Sequence, residues 1–338
     1  MRLNRRTFFA GTAAAALAAP TLFAGRAQAT EFSLRLATTL PPDHPTNVRL
    51  NEAAAAILEE SGGRVEILVF PAGQLGSPAD LLSQVRSGAL DFYPISALIL
   101  STLVPVLATV GIGFAFPNYD AVWKAMDGDL GAHLRDQINA TGSIVAMDRM
   151  WDSGFRQTTT TKVQIQTPAD LAGLKLRIPA APIWTSMFTA LKAAPTAVDI
   201  NELYSALQTG IVDGQENPLP VVQGFRLYEV QKHCAMTNHM WDGFFILANK
   251  NSFEALPEDL RAIVAKHFDE AAPKQRADVA AADAAGRADL ESKGMVINDV
   301  DPAAFRAELA SSGFYAQWKS SLGDEAWSLL EASVGKLA

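Results

Sequence analysis

From Glu31 onward the chain alternates between period-two segments and helical ones. "EFSLRLATTL" (31–40) alternates apolar and polar positions and predicts a strand. After the turn "PPDHP", the Ala- and Leu-rich run from Asn47 to Glu60 predicts a helix that "SGG" stops, and "RVEILVF" (64–70) predicts a second strand. Strand–helix–strand implies a parallel βαβ unit. Beyond the loop "PAGQLGSPAD", Ser77 caps a helix that has Pro78 at its first position and ends at Gly88; "ALDFYPIS" follows as a strand. "TPADLAG" predicts a short helix with Thr167 as cap and Pro168 at its first position, and "LKLRIP" (174–179) a strand that Pro179 ends. Alternation puts Lys175 and Arg177 on one face and does not distinguish them.

"LLSQVRSGALDF" returns in outline as "LYSALQTGIVDG", each a helix ended by glycine and followed by an aliphatic–Asp pair. The second helix opens with Asp199 and Glu202 at capping-box spacing, carries Leu203, Ala206 and Leu207 as its apolar stripe, and closes at Gly210. The echo suggests two lobes, each with a βαβ layout; a chance likeness of two helix–Gly–strand units is the alternative. From Pro257 to Leu290 breakers are few, which predicts a long helix interrupted or kinked near Pro273. The last stretch, from Asp301, is helical again. No low-complexity linker separates the halves, which favours lobes joined by crossing strands.

Composition narrows the class. A chain of 338 residues suggests two domains once a leader is removed, and 49% hydrophobic with 19% charged residues fits a globular protein. The net charge is −8, and past residue 6 no basic cluster offers nucleic acid a footprint. An acidic protein that binds anions needs a local positive pocket. Residues 1–29 read as a signal peptide: Arg2, Arg5 and Arg6, an apolar stretch from Phe8 to Ala24, and the small-x-small site Ala27–Ala29. "NRRTFFAG" points to twin-arginine export, with an ordinary signal as the alternative; either way the mature chain begins near Thr30 in the periplasm, and nothing later is apolar enough to insert in the membrane. The single cysteine, Cys234, excludes an intrachain disulfide and reads as a buried thiol rather than a zinc ligand. G-x-S-x-G, H-E-x-x-H, Walker and G-x-G-x-x-G motifs are all missing, which moves the reading from enzyme to binder, with no catalytic residue, metal or cofactor.

Six phrases in this order, "FPAGQLG", "LDF", "FRQTTT", "DLAGLKLRIP", "ALQTGIVDGQENP" and "YEVQKHCAMTNH", make the chain resemble the DctP-type solute-binding proteins of TRAP (tripartite ATP-independent periplasmic) transporters. The resemblance implies an α/β, two-lobed periplasmic binding protein fold. Each lobe is a sheet flanked by helices, and a long helix bridges both. Lobe I would hold 30–153 plus 243–282, and lobe II 154–242 plus 283–338. It implies capture of an organic acid, closure around it, and delivery to the membrane permease subunits. By the same resemblance Arg177 pairs with the ligand carboxylate, Arg156 reaches it too, and Asn217 hydrogen-bonds the ligand. A guanidinium suits that role, because it offers a carboxylate two parallel donors in a geometry lysine cannot copy. Thr39, His44 and Ser96 are candidates on the closing wall.

The chain also departs from the family's pattern. The position that holds an acidic residue in members binding polyhydroxylated acids falls on Ser96, and one that carries an amide falls on Ala180. Tyr93, Trp151, Trp184 and Trp241 crowd the same regions. Together these suggest a monocarboxylate with an apolar or aromatic body, with a small hydroxy, keto or sugar acid as the alternative. An exported enzyme or a ligand-sensing subunit are the rival classes.

Overall fold

In the computed structural model, which describes residues 30–337, the period-two segments become one mixed ten-stranded sheet. The strands are β1 (Phe32–Ala37), β2 (Val65–Phe70), β3 (Phe92–Ser96), β4 (Ile144–Ala146), β5 (Trp151–Thr160), β6 (Lys175–Ile178), β7 (Ala194–Ala197), β8 (Gly214–Asn217), β9 (His233–Asn249) and β10 (Val296–Asp299). β1 and β2 run parallel in register from Phe32–Val65 to Ala37–Phe70, as the βαβ pattern requires. Their connection, the helix Pro45–Glu60, buries Leu50, Ala53, Ala54 and Ile57, the i, i+3, i+4, i+7 stripe of an amphipathic helix. That stripe packs on the sheet and on Leu260, Val264 and Phe268 of the helix Glu258–Ser292. Each fully buried large aliphatic side chain is worth about 1.5–3 kcal/mol over its exposed state.

Local signals hold where their chemistry is complete. Ser77 caps the helix Pro78–Ser87 by accepting from the Asp80 amide, Asp80 reaches back to Ser77, and Gly88 ends the helix in the left-handed region. The box expected at Asp199 does not form. Asp199 accepts from the amide of Asn201, two residues on, and the chain makes the 3-10 turn Ile200–Glu202 before the helix Leu203–Gln208. Pro273 lies inside the helix Glu258–Ser292 without interrupting it, and that helix runs 35 residues.

Two long strands join the halves. β9, 17 residues long, pairs with β3 and β4 through its C-terminal half and with β10 through its N-terminal end. β5 runs antiparallel beside it and pairs with β8, which leads on to β6 and β7. The chain is thus two lobes on a shared sheet, with β5 and β9 crossing between them. The β5–β9 register shifts between Asp152 and Gly154 and again between Arg156 and Thr158. Such bulges bend a strand and re-aim its side chains. Gly154 has φ 112°, a backbone conformation that favours glycine, and a Cβ there would press on Pro218 at 3.0 Å.

Cys234 is buried, and burial pushes its thiol up to about 12, as expected of an inert core thiol. The signal peptide lies outside the described residues. Among the described residues no helix is long and apolar enough to cross a membrane.

Candidate ligand-binding site

A cavity of about 460 Å³ opens between the lobes. One wall comes from the end of β1, the helix Pro78–Ser87 and the end of β3, with Thr39, Ser83, Ser96 and Thr102 offering hydroxyls. The other carries Arg156, Arg177, Trp184, Asn217 and Asp242. Ser153 and Arg156 both line it, although residues three apart face opposite sides of a regular strand; the bulge at Gly154 re-phases them.

Arg177 is the centre of this wall. β6 pairs it with Gln215 on β8 and Thr196 on β7, which buries it to 2% exposure. Its Nε donates to the Val198 carbonyl at 2.8 Å, while its buried Nη1 has no hydrogen-bond partner. Burial lowers its pKa to about 10, against the pull of Glu216 and with the push of Arg156. Lys175, two residues earlier on the same strand, is exposed. Depth, not alternation, separates the two cations.

Arg156 is held differently. Its Nε and Nη2 fork onto the Glu216 carboxylate, and Nη2 also donates to the Glu216 carbonyl at 2.8 Å and to Asn217 Oδ1 at 3.0 Å. Its guanidinium lies 5.0 Å from the centroid of the Trp184 ring, and Nη1 is 3.7 Å from Asp242 Oδ2. Burial opposes the Glu216 charge, but Arg156 and a contact of 3.1 Å from His239 Nε2 hold that carboxyl below its usual range. Thr237 in turn meets His239 Nδ1 at 2.7 Å. Arg156 is therefore fixed, and its Nη1 edge and the Arg177 fork are what it and its neighbour can turn toward an anion.

Asp242 supplies the acidic group that the sequence seemed to lack. Ser96 Oγ donates to its Oδ2 at 2.6 Å and the Gly243 amide to its Oδ1 at 2.9 Å. Burial raises its pKa to about 6, although Arg156 works against the shift.

The structure brings Thr39, Ser96, Arg156, Arg177 and Asn217 to this cavity and leaves Trp151, Trp241 and His44 out of its lining. Successive β9 residues face opposite sides, so Asp242 toward the cavity turns Trp241 away. Its indole donates to Asp152 at 2.8 Å and packs edge-on against Phe116 and Trp123. Trp151 is fully buried in the core beneath β1 and the helix Pro45–Glu60. His44 caps that helix, accepting from the Thr46 amide at 3.2 Å, and burial drops its pKa to about 4. Tyr93 is likewise core, so of the four aromatic candidates only Trp184 lines the cavity. Glu216 and Asp242 were missed: one sat unremarked inside "QENP", the other inside the strand "MWDGFF".

A cleft between two lobes, with buried guanidinium donors on one wall and hydroxyls on the other, defines a solute-binding protein for organic acids. The chain belongs to the bacterial extracellular solute-binding proteins of family 7, the DctP family, whose model matches residues 36–317. It is 38% identical over 264 residues to the uncharacterized protein y4mM of Sinorhizobium fredii, covering 78% of this chain and about half, 48%, of that relative's length. It is 30% identical over 270 residues to a solute-binding protein of Chromohalobacter salexigens, covering 80% of each. Among solved structures it is similar to a TRAP periplasmic solute-binding protein from Polaromonas sp. JS666 bound to D-erythronate. The TM-score is 0.85 and the identity 29%, over 89% of this chain and 99% of that one.

Proposed function

We propose that this protein captures a short hydroxylated organic acid in the periplasm and presents it to the membrane permease subunits of a TRAP transporter. The observation that carries this reading is the buried Arg177 fork, whose Nη1 donor has no protein partner and which lines the cavity. The carboxylate docks there and against the Nη1 edge of Arg156, while Asn217 holds Arg156 in place. Hydroxyl groups of the ligand meet Asp242, Ser96 and the threonine and serine hydroxyls of the facing wall. The apolar or aromatic monocarboxylate expected from the sequence gives way to this class. Trp151 and Trp241 turn out of the cavity, Asp242 enters it, and the Polaromonas protein similar to this one holds a hydroxylated monocarboxylate.

We place lobe I at 30–153 plus 243–282 and lobe II at 154–242 plus 283–338, so that Arg156, Arg177 and Asn217 share one lobe and Thr39 and Ser96 close on them. Arg5 and Arg6 favour twin-arginine export; replacing both with lysine should stop export if that is the route.

A thermal-shift screen of organic acids tests the ligand class. At one hundred times its dissociation constant, a true ligand stabilises by about 2.7 kcal/mol. Hydroxy and sugar acids such as D-erythronate are expected among the hits, and phenylacetate is not; hits confined to aromatic or alkyl monocarboxylates would reverse the assignment. With a hit in hand, Asp242→Asn is expected to weaken binding about tenfold at neutral pH, the worth of one charge-assisted hydrogen bond. In the wild type, affinity should fall as pH drops through about 6, where Asp242 gains a proton and accepts from a ligand hydroxyl only as a weaker, neutral acceptor. Calorimetry on both sides of that pH checks it, and an unchanged affinity in the variant would remove Asp242 from the site.

A further inference from the structure

Two stretches that stand out in the sequence still lack a role. One is the loop "PAGQLG" (71–76) after β2; the other is the turn Ile200–Glu202, which stands where a capping box was expected. The structure sets them against each other. Gly73 has φ 67°, and a Cβ added there would stand 2.9 Å from both Nδ2 and Oδ1 of Asn201. The Asn201 side chain thus lies on the bare backbone of Gly73, an approach that only glycine allows. Ile200, beside it, packs on two cores at once: one holds Leu36, Leu40 and Leu50, the other Leu203, Leu207 and Leu227. Pro41 and Gly224 make a second approach, in which a Cβ on Gly224 would stand 3.3 Å from Pro41 Cγ.

Both sides of this seam are tied to the cavity by hydrogen bonds. Arg177 Nε donates to the Val198 carbonyl, and Val198 leads into Asp199. The Asp199 carboxylate accepts from the Asn201 amide at 2.9 Å, and its carbonyl from the Glu202 amide at 3.1 Å. The guanidinium that receives the ligand carboxylate therefore also holds the base of the turn. On the facing side, the amides of Gly73 and Ala72 donate to the carbonyls of Thr38 and Leu40, which flank Thr39. Gln84, on the helix Pro78–Ser87, donates to the Leu75 carbonyl at 2.8 Å. Thr39 and Leu40 line the cavity from one side, Asp199 and Ile200 from the other, so the seam is part of its rim.

The energetics make the seam conditional. Its contacts are slight: an exposed Asn201 on a glycine, and a half-buried Ile200. Against them stands Arg177 Nη1, buried without a protein partner, in a cavity that also holds Arg156. Excluding water from an unpaired charged donor costs more than contacts of this kind contribute, and an anion on the fork removes that cost. Resting on the capture reading and the lobe division above, we propose that the turn 199–202 and the loop 71–76 form a latch between the lobes that shuts when a carboxylate fills the Arg177 fork.

The test is a cross-link. Gly73→Cys combined with Asn201→Cys puts two thiols at the seam, and the native Cys234 is buried. Ala72 holds φ 54° in the same loop, so a side chain is accommodated in that conformation. Oxidation of the ligand-free double variant is expected to give the intramolecular disulfide slowly, as the lobes close in passing. With saturating D-erythronate, or the strongest hit of the thermal screen if that acid is silent, the disulfide should form at least about tenfold faster. Asn201→Trp is the second variant. It wedges the seam from an exposed position, so the ligand-free protein should melt as wild type does, while affinity for the same acid falls at least about tenfold through faster release. Absence of any disulfide in the folded, fully oxidised ligand-free variant overturns the proposal whatever the cavity binds. So does a cross-linking rate left unchanged by an acid that raises the melting temperature, and so does wild-type affinity in Asn201→Trp. Failure of the capture reading looks different: no organic acid shifts the melting temperature while the ligand-free cross-link still forms, and the latch then loses its trigger.

Discussion

Arg177→Gln is expected to lower affinity for the acid ligand by at least about a hundredfold while leaving the ligand-free protein as stable or more so. The loss follows from two charge-assisted hydrogen bonds at about 1.5–3 kcal/mol each, made in a cavity where water competes poorly. Arg177→Lys should lose more than about tenfold, since a lysine keeps the charge without the parallel donors. The stability gain has a separate origin. Lowering a buried guanidinium to about 10 means that folding works against its charge, at a cost on the order of 3 kcal/mol. A neutral side chain escapes that cost. Calorimetry with a screening hit and urea unfolding without it check the two halves. Unchanged affinity in both variants would remove Arg177 as the anchor, and a strongly destabilised ligand-free Arg177→Gln would mean that the guanidinium is structural.

Much of the scaffold was legible because local chemistry decides it. Ser77, Pro78 and Gly88 announce a helix with both ends capped, and the parallel β1–β2 pair follows from one helix between two alternating strands. Legibility failed where an interaction crosses the sheet. Lys175 and Arg177 have the same periodicity, and only the strands flanking β6 decide that one is exposed and the other buried. The capping spacing at Asp199 was present, yet a tighter turn with Asn201 took its place. Trp241 and Asp242 are neighbours in sequence, but which of them faces the ligand depends on the phase of β9 against a partner strand that is itself bulged. Resemblance supplied Arg156, Arg177 and Asn217, and it could not supply Glu216, the acid that holds Arg156. The usable signal for Glu216 was a fully buried strand, β8, in which Gln, Glu and Asn follow a glycine: three residues too polar to be buried unless they serve one another or a ligand.

Glu216→Ala is expected to destabilise the fold by about 3–5 kcal/mol, the penalty for breaking a buried ion pair from one side. Glu216 has no exposure and meets Arg156 through both carboxylate oxygens and His239 through one of them. Its removal leaves Arg156 in the interior with Asp242 as the nearest carboxylate, and Arg177 without the charge that moderates its own burial. Glu216→Gln keeps the shape and one acceptor and should lose less. The same variant tests what the acid does for binding. A fixed anion behind the two arginines repels an incoming carboxylate, so Glu216→Gln, where it folds, should bind the ligand at least as tightly as wild type while melting earlier. Unfolding curves and calorimetry on one preparation separate the two effects. Loss of affinity out of proportion to the loss of stability would mean that Glu216 aims Arg156 at the ligand, and that its charge is secondary to the geometry it imposes.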